Sequence, residues 1–193
     1  GFRKLPGLSG KTVAVIGQGP IGLMMNLVLA SRGADQIIAI DKLGYRAEVS
    51  KEMGSTAQID SSKQDPVQVI ESLTEGEMAD IVIEAAGHHE LSINLAADLV
   101  GQDGHVLQFG VTDLPFVENY PAGILYAKNV SVHNSVGAYH EKDFIEAARL
   151  IAKGEIDVKP LLTHTFKLEE VQTAFEHYVD RKDEALKVLL DFS

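Results

Sequence analysis

The chain has 193 residues, of which 45% are hydrophobic and 23% charged, enough for one covered-sheet domain with an appendage. Lys and Arg number 17 against 28 Asp and Glu, and the net charge of -11 argues against nucleic acid, which needs a basic face, and against an anionic membrane surface. Cysteine is absent, so no disulfide and no thiolate zinc site can be built from these residues. The opening GFRKLPGLSGK has no apolar core of the kind a signal peptide needs. The longest apolar run, 21–30, is broken by Gly22 and Asn26 and is too short to cross a bilayer. The expected setting is the cytoplasm.

Residues 1–11 read as a linker, punctuated by Pro6, Gly7 and Gly10. TVAVIG (12–17) is an apolar run of strand length, and 20–32 is a helix, apolar nearly all round and so expected to be buried. Gly33 follows where a left-handed cap belongs. QIIAID (36–41) is a second strand, 45–53 a short helix closed by Gly54, TAQID (56–60) a weaker strand, and 66–73 a helix. ADIVIEAAG (79–87) is a strong strand, 88–100 a helix closed by Gly101, and HVLQFG (105–110) a strand entered through a turn at 101–104. A short helix at 121–127 and a strand, NVSVHNS (129–135), complete the alternation. Strands that are continuously apolar imply a sheet covered on both faces. Their alternation with helices implies right-handed βαβ units and a parallel sheet.

The rhythm changes near residue 138. Phe144, Ala147, Ala148 and Ile151 mark the apolar face of one helix (143–151). A loop with Pro160 follows. Leu168, Val171, Phe175 and Tyr178 mark a second amphipathic helix (168–179), and KVLLDF (187–192) is strand-like. The expected division is therefore a doubly wound parallel α/β domain over 1–138 and a helical tail, helix–loop–helix–strand, over 139–193.

Chemistry concentrates in VAVIGQGPIG (13–22), where Gly17, Gly19 and Gly22 form G-x-G-x-x-G. The first glycine allows the turn out of the strand, the second lets the backbone approach a pyrophosphate, and the third lets helix and strand pack closely. Pro20 suits the first helical position, and with Ile21 it opens a helix whose free amides and dipole favour phosphate. The motif alone is weak evidence, but here it follows a strand and opens a helix. Asp41 ends the next strand nineteen residues after Gly22, close to the spacing of about 20 expected of an acid that binds the adenosine ribose. A carboxylate there repels a 2′-phosphate and favours NAD over NADP. Lys42 and Arg46 read either as ligands for such a phosphate or as surface charges near the adenine.

The GQGPIG loop, the IIAID strand end, IEAAGHHE and the tail KPLLTHTFKLEEVQTAFEH together resemble the medium-chain dehydrogenases/reductases, the zinc-type alcohol, polyol and threonine dehydrogenases. The resemblance covers about Gly10 to Phe192. It implies a six-stranded Rossmann sheet in the order 3-2-1-4-5-6 and an NAD-dependent oxidoreductase acting on a small hydroxyl or carbonyl substrate. By resemblance Ala85, Ala86 and Gly87 flank the adenosine side, and Phe109, Gly110 and Val111 meet the nicotinamide ribose. Asn134, Ser135 and Val136 lie near the nicotinamide. Lys187 stands where the family often has a basic residue reaching the pyrophosphate, and reads equally as a surface lysine. Catalytic zinc, in this family, belongs to a preceding domain, so the resemblance implies that the tail packs on that domain and that this chain alone is inactive. It also implies homodimers that pair sheet edges, here through 129–135, which carries no proline and no internal charge. The other reading is a free-standing, non-catalytic NAD-binding module.

Other residues invite chemistry less strongly. Adjacent His88 and His89 diverge by about 100° on a helix and cannot easily share an ion. No H-x-x-x-H spacing and no G-x-S-x-G elbow occur. His164 reads as structural, and Glu84 as an acid hydrogen-bonded to nearby backbone.

Overall fold

Four longer strands and two shorter, more polar ones line up as a parallel sheet in the order β3-β2-β1-β4-β5-β6. These are β1 (Thr12–Ile16), β2 (Gln36–Asp41), β3 (Ala57–Asp60), β4 (Ala79–Glu84), β5 (Val100–Gln108) and β6 (Ser131–Asn134). The structure, a computed structural model, describes residues 1–87, 89–111, 116–137 and 140–193. Side chains alternate between the two faces of a strand. Ala14, Ile16, Ile38, Ile40 and Val82 accordingly enter one buried cluster, while Val13, Val15, Ile37, Ile81 and Ile83 enter another. Helix α1 (Pro20–Ser31) covers the second cluster through Met25 and Leu29. Helices α3 (Pro66–Leu73) and α4 (His89–Leu99) cover the first, through Ile70 and through Ile93, Ala96 and Ala97. Each fully buried isoleucine contributes about 1.5–3 kcal/mol of transfer free energy. This is the Rossmann arrangement, and its strand order reverses between β1 and β4, opening a crevice at the carboxyl ends of the strands.

Local chemistry sets the boundaries. Asp65 accepts the Val67 amide at 3.0 Å and caps α3. Gly33 has the expected left-handed φ of 77°. Lys128, just beyond α5 (Ala122–Ala127), donates to the carbonyls of Ala97, Asp98 and Val100 and so closes the end of α4. The short helix α2 (Gly44–Val49) stops earlier than the sequence suggests, and a turn carries the chain to Gly54.

Several expectations are corrected. Residues 1–11 are not a free linker: Leu8 is buried, and Phe2 and Leu5 pack on the cluster beneath α1. Helix α1 is not buried all round, since Ile21 and Met24 are exposed on one side. Helix α4 does not reach Gly101, because Val100 already pairs with Ala79; the expected turn at 101–104 is an excursion inside β5, which resumes with His105 opposite Ile81. The expected start of α4 at His88 lies outside the described residues, as does the boundary at 138.

After a helical turn at His140–Phe144, the tail runs through α6 (Ile145–Ala152), β7 (Leu162–Lys167), α7 (Val171–Val179) and β8 (Lys187–Asp191). Strands β7 and β8 pair in parallel as a separate two-stranded sheet. The first of these was read as loop because most of it is exposed and shows no apolar alternation. The apolar faces marked in the sequence lie open in this chain. Phe144 and Ile151 are exposed, as are Phe175 and Tyr178, and the buried residues of the two helices are Leu150 and Ala174.

Candidate functional site: the crevice at the strand ends

The turn out of β1 depends on Gly17, whose φ of 91° is a conformation side chains rarely adopt. Behind it, a Cβ on Gly22 would stand 1.8 Å from the Gly17 carbonyl oxygen, so only glycine lets α1 approach the loop this closely. Gly19 is different. A Cβ there would meet only the Arg46 guanidinium, at 3.7 Å, and otherwise open space. That space lies at the mouth of α1, where Pro20 occupies the first helical position and the amides of Ile21 and Gly22 have no carbonyl in their own helix. The helix dipole adds positive potential there. The opening thus suits a phosphate.

Asp41 ties the second strand to this loop. One carboxylate oxygen accepts the Gln18 amide at 2.7 Å and the other accepts the Leu43 amide at 2.9 Å. Each oxygen keeps a lone pair for a further donor, such as a ribose hydroxyl. Arg46 lies nearby, its Nε 3.1 Å from the Tyr45 hydroxyl and its guanidinium over the Tyr45 ring.

Gln18 was not singled out from the sequence, yet it is fully buried. Its side chain turns inward, donates to the Val15 carbonyl at 2.9 Å and accepts from Asn26 at 2.8 Å. The available signal was Asn26, the only polar residue in the apolar run 21–30. Glu84 performs a similar task on the other side of the switch point. Its buried carboxylate accepts the amides of Ala86 and Gly87 at 2.9 and 2.8 Å and reaches that of Gly110 at 3.2 Å. One acid thereby fixes the loops leaving β4 and β5 against each other.

The structure gathers most of the expected residues. Gly17, Gly19, Pro20, Ile21, Asp41, Lys42, Arg46, Ala85 and Ala86 line one groove of about 650 Å³. Phe109, Gly110, Val111, Asn134, Ser135 and Val136 line an adjoining hollow of about 440 Å³ with Glu84, Val117 and Tyr120. Burial pushes the Tyr120 hydroxyl up from its ordinary pKa. Gly87 lines neither hollow; a Cβ on it would stand 3.5 Å from the Val111 carbonyl oxygen. Lys187 is not brought to the groove: it lines a separate apolar recess with Phe175, Tyr178 and Leu190. The tail instead contributes Tyr178 and Arg181, which no motif marked. A larger polar hollow of about 680 Å³, beside Thr12, Gln36 and Ala79, lies at the opposite ends of the strands, away from the switch point.

The family model described as zinc-binding dehydrogenase matches residues 20–153. The chain belongs to this family. L-threonine 3-dehydrogenase of Bacillus subtilis is 36% identical over 94% of the chain and 51% of its own length. An alcohol dehydrogenase from Thermus sp. ATN1 superposes with a TM-score of 0.86 at 34% identity, covering 96% of this chain and 52% of that one. An alcohol dehydrogenase from Escherichia coli CFT073, solved in complex with NADH, superposes with a TM-score of 0.84 at 26% identity, covering 97% and 53%. The chain therefore spans about half the length of the relatives it matches. Its fold is the medium-chain dehydrogenase Rossmann fold, and its relatives are oxidoreductases. Among the described residues no helix is long and apolar enough to cross a membrane.

Proposed function

We propose that the crevice binds a nicotinamide dinucleotide, NAD(H) in preference to NADP(H), for a dehydrogenase acting on an alcohol or polyol hydroxyl. The observation that carries this reading is the open space over Gly19 at the mouth of α1, with the Asp41 carboxylate beside it. The pyrophosphate sits over Gly19, the adenosine ribose on Asp41 between Ala85, Ala86 and Arg46, and the nicotinamide in the hollow of Phe109, Gly110, Val111, Asn134, Ser135 and Val136. When bound, the nicotinamide supplies the hydride acceptor. The chain's own part is to hold and orient it: Gln18 and Asn26 brace the phosphate loop, and Glu84 locks the two loops that frame the nicotinamide side. That a structural relative was solved with NADH supports the choice of cofactor.

Residues 1–138 form the dinucleotide unit in this reading, and 139–193 the segment that meets the remainder of the whole protein. Zinc, as the Lewis acid for the substrate oxygen, is held by that remainder, and the 193-residue chain by itself does not oxidise alcohols. The whole enzyme works in the cytoplasm and dimerises through β6. Replacement of Gly19 by valine tests the site. It fills the space intended for the pyrophosphate, so NADH binding followed by calorimetry disappears while the circular dichroism spectrum stays native. Unchanged affinity in a folded Gly19→Val protein contradicts the reading.

A further inference from the structure

Three residues of the tail that no motif linked come together: His164 on β7, His177 on α7 and Asp183 in the turn before β8. One ligand atom of each lies within 4.8 Å of the others. The two imidazoles are 4.4 Å apart between ring centres, and Phe166 closes the apolar side of His177 at 5.3 Å.

Two details orient this cluster toward an ion. First, the Nε2 atom of His177 is buried and has no hydrogen-bond partner among the described residues. A buried polar atom in that condition costs about 1–3 kcal/mol unless something satisfies it. The nearest charge is the Asp183 carboxylate at 3.7 Å, too long for a hydrogen bond. It is close to the separation of about 3.4 Å that two ligands of a tetrahedral ion adopt at ordinary zinc distances.

Second, the tautomer of His164 is set by its neighbour. The Thr163 hydroxyl donates to the Lys187 carbonyl and accepts the Leu186 amide at 3.0 Å. With the hydroxyl proton on that carbonyl at 3.4 Å, Nδ1 of His164, 2.9 Å from the same oxygen, is placed to donate to it, the tautomer that leaves Nε2 with a free lone pair. A metal-bound histidine is held in this way, its second nitrogen donating to an oxygen that fixes the ring.

We propose that His164, His177 and Asp183 bind one divalent transition-metal ion of the zinc, nickel or copper class, with water completing the coordination. Two imidazoles and a carboxylate select these metals over magnesium or calcium, which prefer oxygen-only ligand sets. Asp183 is exposed and turns inward to bind; the buried His177 nitrogen gains its missing partner. The ion ties β7, α7 and the turn at 181–184 together. Since Arg181 lines the dinucleotide groove, the same ion steadies the groove's tail-side wall.

The test uses the untagged 193-residue chain titrated with cobalt(II) as a spectroscopic stand-in and with zinc chloride in a thermal melt. The expected result is visible d–d absorption that saturates at one cobalt per chain, together with a zinc-dependent rise in Tm. Asp183→Asn, a change at an exposed position, keeps the fold and weakens binding about tenfold or more. His164→Asn does the same, and His133→Asn, which alters the other histidine pair, leaves binding unchanged. The proposal is overturned if no cobalt band appears in molar excess of the ion. It is equally overturned if Asp183→Asn and His164→Asn bind as the parent does, or if His133→Asn abolishes the band.

Discussion

The six-stranded sheet and the tail are built from sequences of similar apolar content, yet they bury it very differently. Ile37, Ile38, Ile81 and Ile83 are sealed between two layers of helices. In the tail, Phe144, Ile151, Phe175, Val179 and Phe192 stand exposed; its helices bury only Leu150 and Ala174, and its firmest anchor is Leu161 and Leu186, which pack with Leu23 and Met53. A run of apolar residues on a central strand needs no information beyond the neighbouring strands and helices to find its cover. An amphipathic helix declares which face wants burial but not against what. The exposed faces of α6 and α7 are the ones the proposed contact with a further domain would cover; the relatives are about twice this chain's length.

The sharpest way to break this comparison is a matched pair of truncations. Ile38→Ala, in the covered sheet, is expected to cost about 2–5 kcal/mol in urea unfolding. Phe175→Ala, in the exposed tail, is expected to change stability by less than about 0.5 kcal/mol in this chain. Equal costs would mean that the tail is packed as tightly as the sheet. The next effect in size belongs to the switch point. Glu84→Met removes the acceptor for the Ala86 and Gly87 amides and is expected to cost about 1–3 kcal/mol, with weaker NADH binding.

How much of this was legible in the residues follows the same division. The strand runs and the glycine loop announced themselves because parallel strands covered on both faces are continuously apolar, and because Gly17, Gly19 and Gly22 answer distinct steric demands. Ala85, Ala86 and the loops after β5 and β6 were placed by family resemblance. Gln18 escaped because its role is inward, and only Asn26 hinted at a polar partner inside an apolar helix. Strand β7 escaped because exposure erased its alternation. Arg181 and Tyr178 reach the groove through the return path of the tail, which no local spacing encodes; Lys187, which reads equally as a pyrophosphate contact by resemblance and as a surface lysine, lines the apolar recess beside Tyr178.

A smaller effect concerns the open edge of the sheet. The Ser135 amide donates inward to Gln108, so alternation turns the Val132 amide outward, away from β5. Lys4 donates to the Asn134 carbonyl and so occupies the far end of this edge. The alternative to pairing is that the loop at 114–121 covers this edge and leaves a monomer; that loop begins outside the described residues. If β6 pairs with a second copy, Val132→Pro removes an outward donor without touching β5 and is expected to weaken the dimer about tenfold in sedimentation equilibrium. A parent chain that is monomeric throughout, or a proline variant that dimerises as tightly, would show that this edge stays unpaired.

The smallest effect is a pH dependence at the same edge. His133 stacks on His105, with Nε2 3.1 Å from Nδ1 of its neighbour. Burial, then the charges of His105 and Lys4, hold the His133 pKa below its ordinary value. The unfolded chain therefore takes up a proton first as pH falls below about 6.5, so stability is full above that pH and declines as pH drops through the lowered folded value. The expected outcome is a larger fall in Tm between neutral and mildly acidic buffer for the parent than for His133→Asn. Identical slopes would assign the pair no role in acid sensitivity.

The most direct test of the central claim is a calorimetric titration of the 193-residue chain with NADH and, separately, with NADPH. With the Asp41 carboxylate at the proposed ribose position and its oxygens held by the Gln18 and Leu43 amides, NADH is predicted to bind about tenfold tighter or more, a difference of about 1.4 kcal/mol. Equal or tighter binding of NADPH would contradict the account and would place the 2′-phosphate on Lys42 and Arg46.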